Sequence, residues 1–537
     1  MGTRRIPKTR EIWPLLVLVF CLLLFVGRSI ASMTQESSTW DETCLFGLGK
    51  YLLQNQRWDV PGSILHPPLS FYVHSIPLLF ADTDPSRWNY PPSWASQPGF
   101  RGGCDVHRGQ SLLSGPANRG DRLLTESRLM MVSVATLLGW FVYSWSYSLY
   151  GKWSAVLAGF LYTFCPNIIA HAHLITPDIT ITTFGFITVY FLWRFLDRSR
   201  RRDAIAGGVF LGLALLSKFT ALLLPPICFG LMGLHWLVRK RIDLWGCLLF
   251  TAIGFAVLAL GYGMHLEPFF AGIAFQREHA SNGHATFLMG QYSNSGWWYY
   301  FIVAFLLKTP LAMIALLAVA AVRLVARRQG TAWIDQAFLL VPAAIVFLFF
   351  SVEHQSIGLR YVLPVYPFLF VWASEAASWV SAKDFRRIGL LAILVGWYAV
   401  ESWWVHPHYL AYFNEIAGGP SNGYKYLVDS NLDWGQDLKG LGRYMEEHAI
   451  PRVSLSYFGS DSPQRYGISY DWMPSFVLDD PRPALLRHLR PVTGWVAISA
   501  TNLQGVYFPD KSLFAQLKAR KPDAVIGYSI FLYNMSP

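Results

Sequence analysis

The sequence predicts a polytopic α-helical membrane protein, with about eleven transmembrane helices and a small soluble α/β domain at its C-terminal end. Three observations carry that expectation. Apolar residues make up 53% of the 537 residues and charged ones only 14%, and the apolar ones gather in runs of membrane-crossing length. Lys and Arg, which set a net charge of +11, sit in short clusters between those runs, as the positive-inside bias produces. Beyond residue 405 the runs stop, and short alternating and helical stretches take over.

Residues 1–12 carry Arg4, Arg5, Lys8 and Arg10 and lead into an apolar run at 13–31. Ser29-Ile30-Ala31 resembles a signal-peptide cleavage site, but acids follow at once, and a retained anchor is expected. Residues 32–126 then form a long external loop. Within it, Thr39-Trp40-Asp41-Glu42 fits a capping box, and Leu45, Leu48 and Leu52 follow at helical spacing, which predicts an amphipathic surface helix. Two acids beside a membrane face are costly to hold near lipid and are equally a functional candidate. The readings are compatible, because a helix N-terminus is a rigid mount for a carboxylate. The apolar stretch 69–80 is too short to cross and is expected at the interface. Pro85 to Gly120 is rich in Pro, Gly, Ser and Arg and is expected to be irregular. Cys44 and Cys104 share this loop and could pair in an oxidising compartment, but nothing in the sequence fixes their distance.

Further spans are expected at 128–149, 154–170, 175–195, 204–217, 219–238, 244–263, 297–322, 333–351, 358–379 and 388–404. The two flanking Lys218 are short, and Pro225-Pro226 points to a broken or re-entrant pair. With this count the clusters Arg198 to Arg202, Arg239-Lys240-Arg241, Arg323 to Arg328 and Lys383 to Arg387 all fall on the side of the N-terminus, which is then cytoplasmic. Loop 1, loop 264–296 and residues 405–537 become external. The chain divides into a transmembrane part, 1–404, and a tail, 405–537. In the tail, Trp434 to His448 and stretches near 483–490 and 511–520 look helical. Val453 to Phe458, Trp495 to Ser499 and Ala524 to Tyr533 look like strands. No Gly-x-Gly-x-x-Gly or Walker pattern, zinc-type cysteine pair or basic stripe with interleaved aromatics occurs, so nucleotide, structural zinc and nucleic acid are not indicated.

On this topology Asp41, Glu42, His66, Arg128, His171, His173, Asp178, Lys218, Glu353, His354 and Arg360 lie on one side of the membrane. Each has a plain alternative. The histidines fit an interface, Arg128 and Arg360 could snorkel from helix ends, and Asp178 after Pro177 suits a helix start. Lys218 resists such a reading, because it stands against the charge bias and suggests an anionic partner. Acids, histidines and cations on one face fit group transfer from a phosphate-bearing donor. Outside the membrane such a donor has to be carried on a lipid, and a polyprenyl-phosphate sugar suits that. A carboxylate would serve as base toward an acceptor hydroxyl, and cations would clamp the phosphate.

Asp41-Glu42 opening the first external loop, Phe46-Gly47 after it and His66-Pro67-Pro68-Leu69 resemble the dolichyl-phosphate-mannose protein O-mannosyltransferases. Those belong to the GT-C glycosyltransferases, with the lipid A aminoarabinose transferases. Arg128-Leu129, beginning the second span, resembles the mannosyltransferases' arginine that pairs with the loop acids, while Asp178, Arg360-Tyr361 followed by Leu363-Pro364, and Asn431 through Leu438 (Asn-Leu-Asp-Trp-Gly-Gln-Asp-Leu) are similar to bacterial members of the same broad group. The likeness spans roughly residues 10–404; the tail resembles only bacterial relatives. It implies a bacterial inner-membrane enzyme that moves one sugar, hexosyl or pentosyl, with inversion from a polyprenyl-phosphate donor. The acceptor would be a protein Ser or Thr, a lipid or an envelope glycan. Asp41 takes the position of the base, Glu42 orients it or meets the acceptor, and Arg128 holds Glu42. His66 stands where the lipid A enzymes have a phosphate-binding lysine. Lys218 and Arg360, with Asp178, His173 and His354, complete the candidate donor site.

The chain also departs from these families. Ser70-Phe71 replaces the Gly-Lys of the eukaryotic enzymes, and loop 264–296 has no β-trefoil, so acceptor and sugar stay open. Leu65 replaces an acid ligand of the lipid A enzymes, so a divalent cation is possible but not implied. A transporter or flippase of lipid-linked sugars is the alternative from another class. The sequence has no inverted or tandem repeat of spans to support it.

Overall fold

The computed structural model describes residues 12–82, 89–94, 97, 99–115, 119–326, 333–353, 355–380, 384–476 and 494–535. Among the described residues, six helices are long and apolar enough to cross a membrane: α1 (Trp13–Met33), α6 (Gly120–Tyr150), α9 (Pro177–Arg198), Phe219–Arg239, α12 (Leu244–Gly261) and α16 (Trp333–Val352). Two bent pairs raise the number to eight. α7 (Lys152–Thr163) meets α8 (Pro166–Ala172) at 60°, and α14 (Tyr300–Lys308) meets α15 (Leu311–Ala326) at 110°. Each bend falls at a proline, Pro166 or Pro310, which cannot donate to the preceding turn. These helices make the chain an integral membrane protein. The other three expected spans are helical without meeting the length and hydropathy of a simple crossing. α10 (Arg201–Leu215) has 15 residues. The segment from 359 is two 3-10 stretches, Leu359–Val365 and Ser374–Trp379, around α17 (Tyr366–Ala373). α18 (Phe385–Trp404) carries Arg386, Arg387 and Glu401.

α9 is the centre of the bundle, with 89% of its most apolar window buried. Thr180, Thr182 and Thr188 return their hydroxyls to the helix itself, Thr182 to the Asp178 carbonyl at 2.7 Å and Thr188 to that of Phe184 at 2.7 Å, so they pack like valine without unpaired oxygens. The chain breaks between α10 and the next span, as expected around Lys218, which is extended before the 3-10 turn Phe219–Leu223 that opens α11 (Leu224–Arg239).

Loop 1 is a folded layer. The surface helix expected over 40–52 is split into α2 (Trp40–Leu45) and α3 (Leu48–Asn55) at Gly47, whose φ of 81° turns the chain. The apolar stretch beyond 68 forms α4 (Leu69–His74) and a turn at Pro77–Phe80. Cys44 and Cys104 do pair, with Cα atoms 5.3 Å apart, and Arg108 on α5 (Val106–Ser114) donates to the Cys44 carbonyl at 2.6 Å. Gly109 lies so close to the Thr43 backbone that a Cβ would not fit. α2 is therefore held firmly from behind.

Residues 405–437 run as a strap of short turns against the helices. Lys308, buried at the end of α14, donates to the carbonyls of Leu410 (2.9 Å), Tyr412 (3.1 Å) and Asn431. The α/β unit follows: α19 (Leu438–Glu447) and a five-stranded sheet. Loop 264–296 supplies α13 (Glu267–Ser281) and the hairpin β1 (Thr286–Leu288) and β2 (Gln291–Ser293). The sheet strands are β3 (Val453–Ser456), β4 (Tyr470–Trp472), β5 (Trp495–Ser499), β6 (Ala524–Ile526) and β7 (Ile530–Asn534), in the order β4-β3-β5-β7-β6. β3 is parallel to β4 and β5; β7 is antiparallel to β5 and β6. The single strand expected over 524–533 is thus a hairpin, turned at Gly527 and Tyr528, which both have positive φ. Strand β4 was not foreseen. The helix expected near 434 starts only at Leu438, because 434–437 wraps loop 1. The helix near 511–520 is reduced to Ala515–Ala519, and the one near 483–490 lies outside the described residues.

Candidate active site

α2 opens with the capping box: Glu42 Oε2 accepts the Thr39 N–H at 2.8 Å. Successive helical residues point about 100° apart, so Asp41 and Glu42 face different surroundings. Glu42 turns inward and is fully buried. Arg128, on α6, donates to both its oxygens, at 2.9 and 2.6 Å, and the Ile175 N–H reaches Oε1 at 3.2 Å. The other Arg128 donors reach the carbonyls of Met33 (3.0 Å) and Ser37 (2.8 Å). Next to this pair, His173 Nε2 lies 3.0 Å from Glu36 Oε2. Burial works against the Glu36 carboxylate, but His173 and Arg128 hold it below its ordinary range. His173, expected at the donor phosphate, is thus engaged in the buried network behind α2. Position in sequence could not show this, because Glu36 carried no motif.

Asp41 turns the other way and is a quarter exposed. Its Oδ2 accepts from Arg360 Nη1 at 2.7 Å. The same Nη1 is 3.6 Å from Asp178 Oδ2, and Asp178 Oδ1 accepts from Lys218 Nζ at 2.7 Å. Two acids and two cations alternate in one row. The row is supported by aromatic faces, with the Arg360 guanidinium 4.3 Å from the Trp434 ring centre and Lys218 Nζ 4.6 Å from that of Tyr361. It is also under-bonded: Arg360 Nε and Asp178 Oδ2 are buried without a hydrogen bond.

Beside this row lies a cavity of about 420 Å³. His66, Lys218, Arg360 and Tyr361 form its polar head, Phe219, Phe349 and Phe350 its apolar wall, and Gln276, Arg277 and Glu353 also line it. Burial, reinforced by Lys218 and Arg360, pushes the His66 imidazole down to about 3. It is neutral, with Nδ1 unpaired, and can offer a phosphate a hydrogen bond but no charge. That differs from the lysine whose place the resemblance gave it. His171 sits edge-on to Trp434, ring centres 6.4 Å apart. His354 lies outside the described residues.

Two contributors were not assigned in sequence. Trp434 carries Arg360 on its face. Asn431 accepts the Leu359 N–H at 2.9 Å and donates to the Ile357 carbonyl at 3.2 Å, fixing the chain just before Arg360. Both fall in the 431–438 stretch, whose pattern was visible but whose contacts were not. Among the described residues no three His, Cys, Asp or Glu gather as ligands, and Asp41 and Asp178 already face cations.

A family model described as dolichyl-phosphate-mannose-protein mannosyltransferase matches residues 121–260, a segment that includes Arg128, Asp178 and Lys218. No curated protein sequence matches the chain. Among solved structures, ArnT from Cupriavidus metallidurans in the apo state aligns with 97% of this chain and 97% of that one, at 13% identity and a TM-score of 0.50. The same protein bound to undecaprenyl phosphate aligns over the same shares at 14% and 0.48. The Archaeoglobus fulgidus oligosaccharyltransferase aligns with 73% of this chain and 56% of its own, at 13% and 0.46. At such identities the likeness is one of fold. In its matched segment and its fold, the chain resembles the GT-C membrane glycosyltransferases of the protein O-mannosyltransferase and lipid A aminoarabinose transferase group.

Proposed function

We infer that the chain is a polyprenyl-phosphate-sugar-dependent glycosyltransferase, moving one sugar with inversion to an acceptor hydroxyl. The observation that carries this reading is the 2.7 Å contact between Arg360 and Asp41 at the head of a cavity with one apolar wall. It puts a proton acceptor and a phosphate clamp side by side, as displacement of a sugar from a phosphate requires.

In this mechanism the donor phosphate enters beside Lys218, Arg360 and neutral His66, and its isoprenoid chain lies along Phe219, Phe349 and Phe350. Arg360 turns from Asp41 toward the phosphate, which frees the carboxylate. Asp41 takes the acceptor hydroxyl proton as the oxygen attacks the anomeric carbon from the opposite face. The bond between that carbon and the phosphate oxygen breaks, and the electron pair leaves with polyprenyl phosphate, held by Lys218 and Arg360. Asp178 keeps the two cations in place. The topology that goes with this has eleven spans, a cytoplasmic N-terminus, and the active site and residues 405–537 outside a bacterial inner membrane.

The test is release of polyprenyl phosphate by the purified protein from a panel of labelled polyprenyl-phosphate sugars, with Asp41→Asn as control. Release from one donor that depends on Asp41 is the expected result. No release from any donor in the presence of cell-envelope extract would overturn the reading.

A further inference from the structure

We propose that the acceptor is a saccharide, seated on an aromatic wall that loop 1 and the C-terminal α/β unit build together beside Asp41. This rests on the glycosyl-transfer reading above and names the substrate class that the reading leaves open. Trp40, immediately before Asp41, has its ring centre 5.7 Å from that of Phe476 and 6.0 Å from that of Phe458, to which it is nearly parallel. Phe476 stacks in turn on Tyr507 at 4.3 Å. Phe458 is buried behind, while Trp40, Phe476 and Tyr507 each keep part of their surface open.

The wall has a polar fringe. The Tyr507 hydroxyl donates to Asp429, and the His284 ring stands edge-on to Tyr507 at 5.6 Å. Asp429 has a φ of 57°, in the left-handed region, and the Thr501 hydroxyl lies 3.0 Å from its backbone nitrogen. The Ser430 N–H and the Tyr507 hydroxyl both bond its carboxylate and hold it in place. The fringe connects to the base through the chain: Asn431, two residues from Asp429, accepts the Leu359 N–H at 2.9 Å, and Arg360 beside it donates to Asp41 at 2.7 Å.

A saccharide suits both parts. The C–H face of a sugar ring carries slight positive charge and lies well on the negative face of an aromatic ring. Its hydroxyls pair with a carboxylate, an imidazole and a phenol. An acyl chain carries no hydroxyl for the remaining acceptor sites of the Asp429 carboxylate, whose partners within the chain are the Tyr507 hydroxyl and the Ser430 N–H. Loop 1 contributes both Trp40 and Asp41, so a ring stacked on the indole holds its hydroxyl within one residue of the base.

The experiment uses the full chain in lipid nanodiscs. Binding to an array of oligosaccharides and Ser/Thr peptides is measured for the wild type, Phe476→Ala, Phe476→Tyr and Asp429→Asn. Undecaprenyl phosphate binding is measured on each preparation by calorimetry. The expected result is oligosaccharide binding, weakened about tenfold or more by Phe476→Ala and by Asp429→Asn and kept by Phe476→Tyr, with lipid phosphate affinity unchanged in every variant. Should Phe476→Ala fail to bind the lipid, it is misfolded and Asp429→Asn decides alone. Binding of peptides only, saccharide binding indifferent to Phe476→Ala and Asp429→Asn, or no saccharide binding by a wild type that binds lipid phosphate would each overturn the wall. A wild type that binds no lipid phosphate would overturn the transfer reading itself, and this proposal with it.

Discussion

Glu42 meets Arg128 behind α2 with both oxygens engaged, whereas Asp41, one residue earlier, faces a single guanidinium, that of Arg360, which lines a cavity. The two carboxylates share a helix, a cap and a covalent neighbourhood. They differ only in direction, and that decides what each can do. Glu42 has five donors around it, and its pair with Arg128 is sealed from water. Asp41 is partly open, and its partner Arg360 is shared with Asp178 and is itself incompletely bonded. The sealed pair holds the loop, and the open row has room to exchange partners. A buried ion pair with complete hydrogen bonding is costly to break one side at a time, while the row at Arg360 leaves a buried donor and a buried acceptor unmet.

The sharpest way to break this comparison is to neutralise each acid separately. Asp41→Asn is expected to lower the transfer rate by about 10²–10⁴-fold while undecaprenyl phosphate binding holds or tightens, because Arg360 loses its competitor. Weaker lipid binding in that variant would contradict the exchange of partners. Arg128→Ala leaves Glu42 buried without its cation and is expected to cost about 3–5 kcal/mol of stability, read as a lower thermal midpoint in nanodiscs. An unchanged midpoint would mean the sealed pair holds nothing. Lys218→Met removes one charge-assisted bond and should weaken undecaprenyl phosphate binding by about ten- to a hundredfold. The same titration as for Asp41→Asn measures it, and an unaltered affinity would take Lys218 out of the clamp.

The last expectation concerns pH. Burial, helped by Asp429 and Asp437, raises the Asp433 carboxyl to about 8, against about 3.9 in an unfolded chain. Between those values the folded chain keeps a proton that the unfolded chain sheds, so stability falls as pH rises from about 4 through 8. His66, buried and neutral, works in the opposite window: stability is lost as pH falls from about 6.5 toward 3. Asp433→Asn should flatten the alkaline decline and leave the acidic one. Thermal midpoints from pH 5 to 9 would show this, and an undiminished alkaline decline would remove Asp433 as its source.

Much of the site was readable before the fold. Two adjacent acids after the first apolar run, a histidine before two prolines, an arginine opening a span and a lysine between two short runs are all anomalies of composition, and each lies at or near the site. Anomaly alone did not separate roles. His173 stood out as strongly as His66, yet it turns to Glu36, because the end of α8 faces the back of α2. Trp434 and Asn431 lay in a visible pattern, but their value is a ring face under Arg360 and a bond to residue 359, contacts across about seventy residues of chain. The Cys44–Cys104 bond depended on a distance that no spacing encodes.

The sequence by itself determined the solvent each segment needs. Apolar runs require lipid, clustered cations mark the breaks between them, and Thr39 with Glu42 starts a helix wherever the loop goes, since these are local properties of side chain and backbone. Only the tertiary structure decided which carboxylate is sealed and which is open. That choice depends on the rotation of α2 against α6, α9 and the 359–365 turn, and a rotation is set by packing from all sides at once. No single stretch of chain contains that packing.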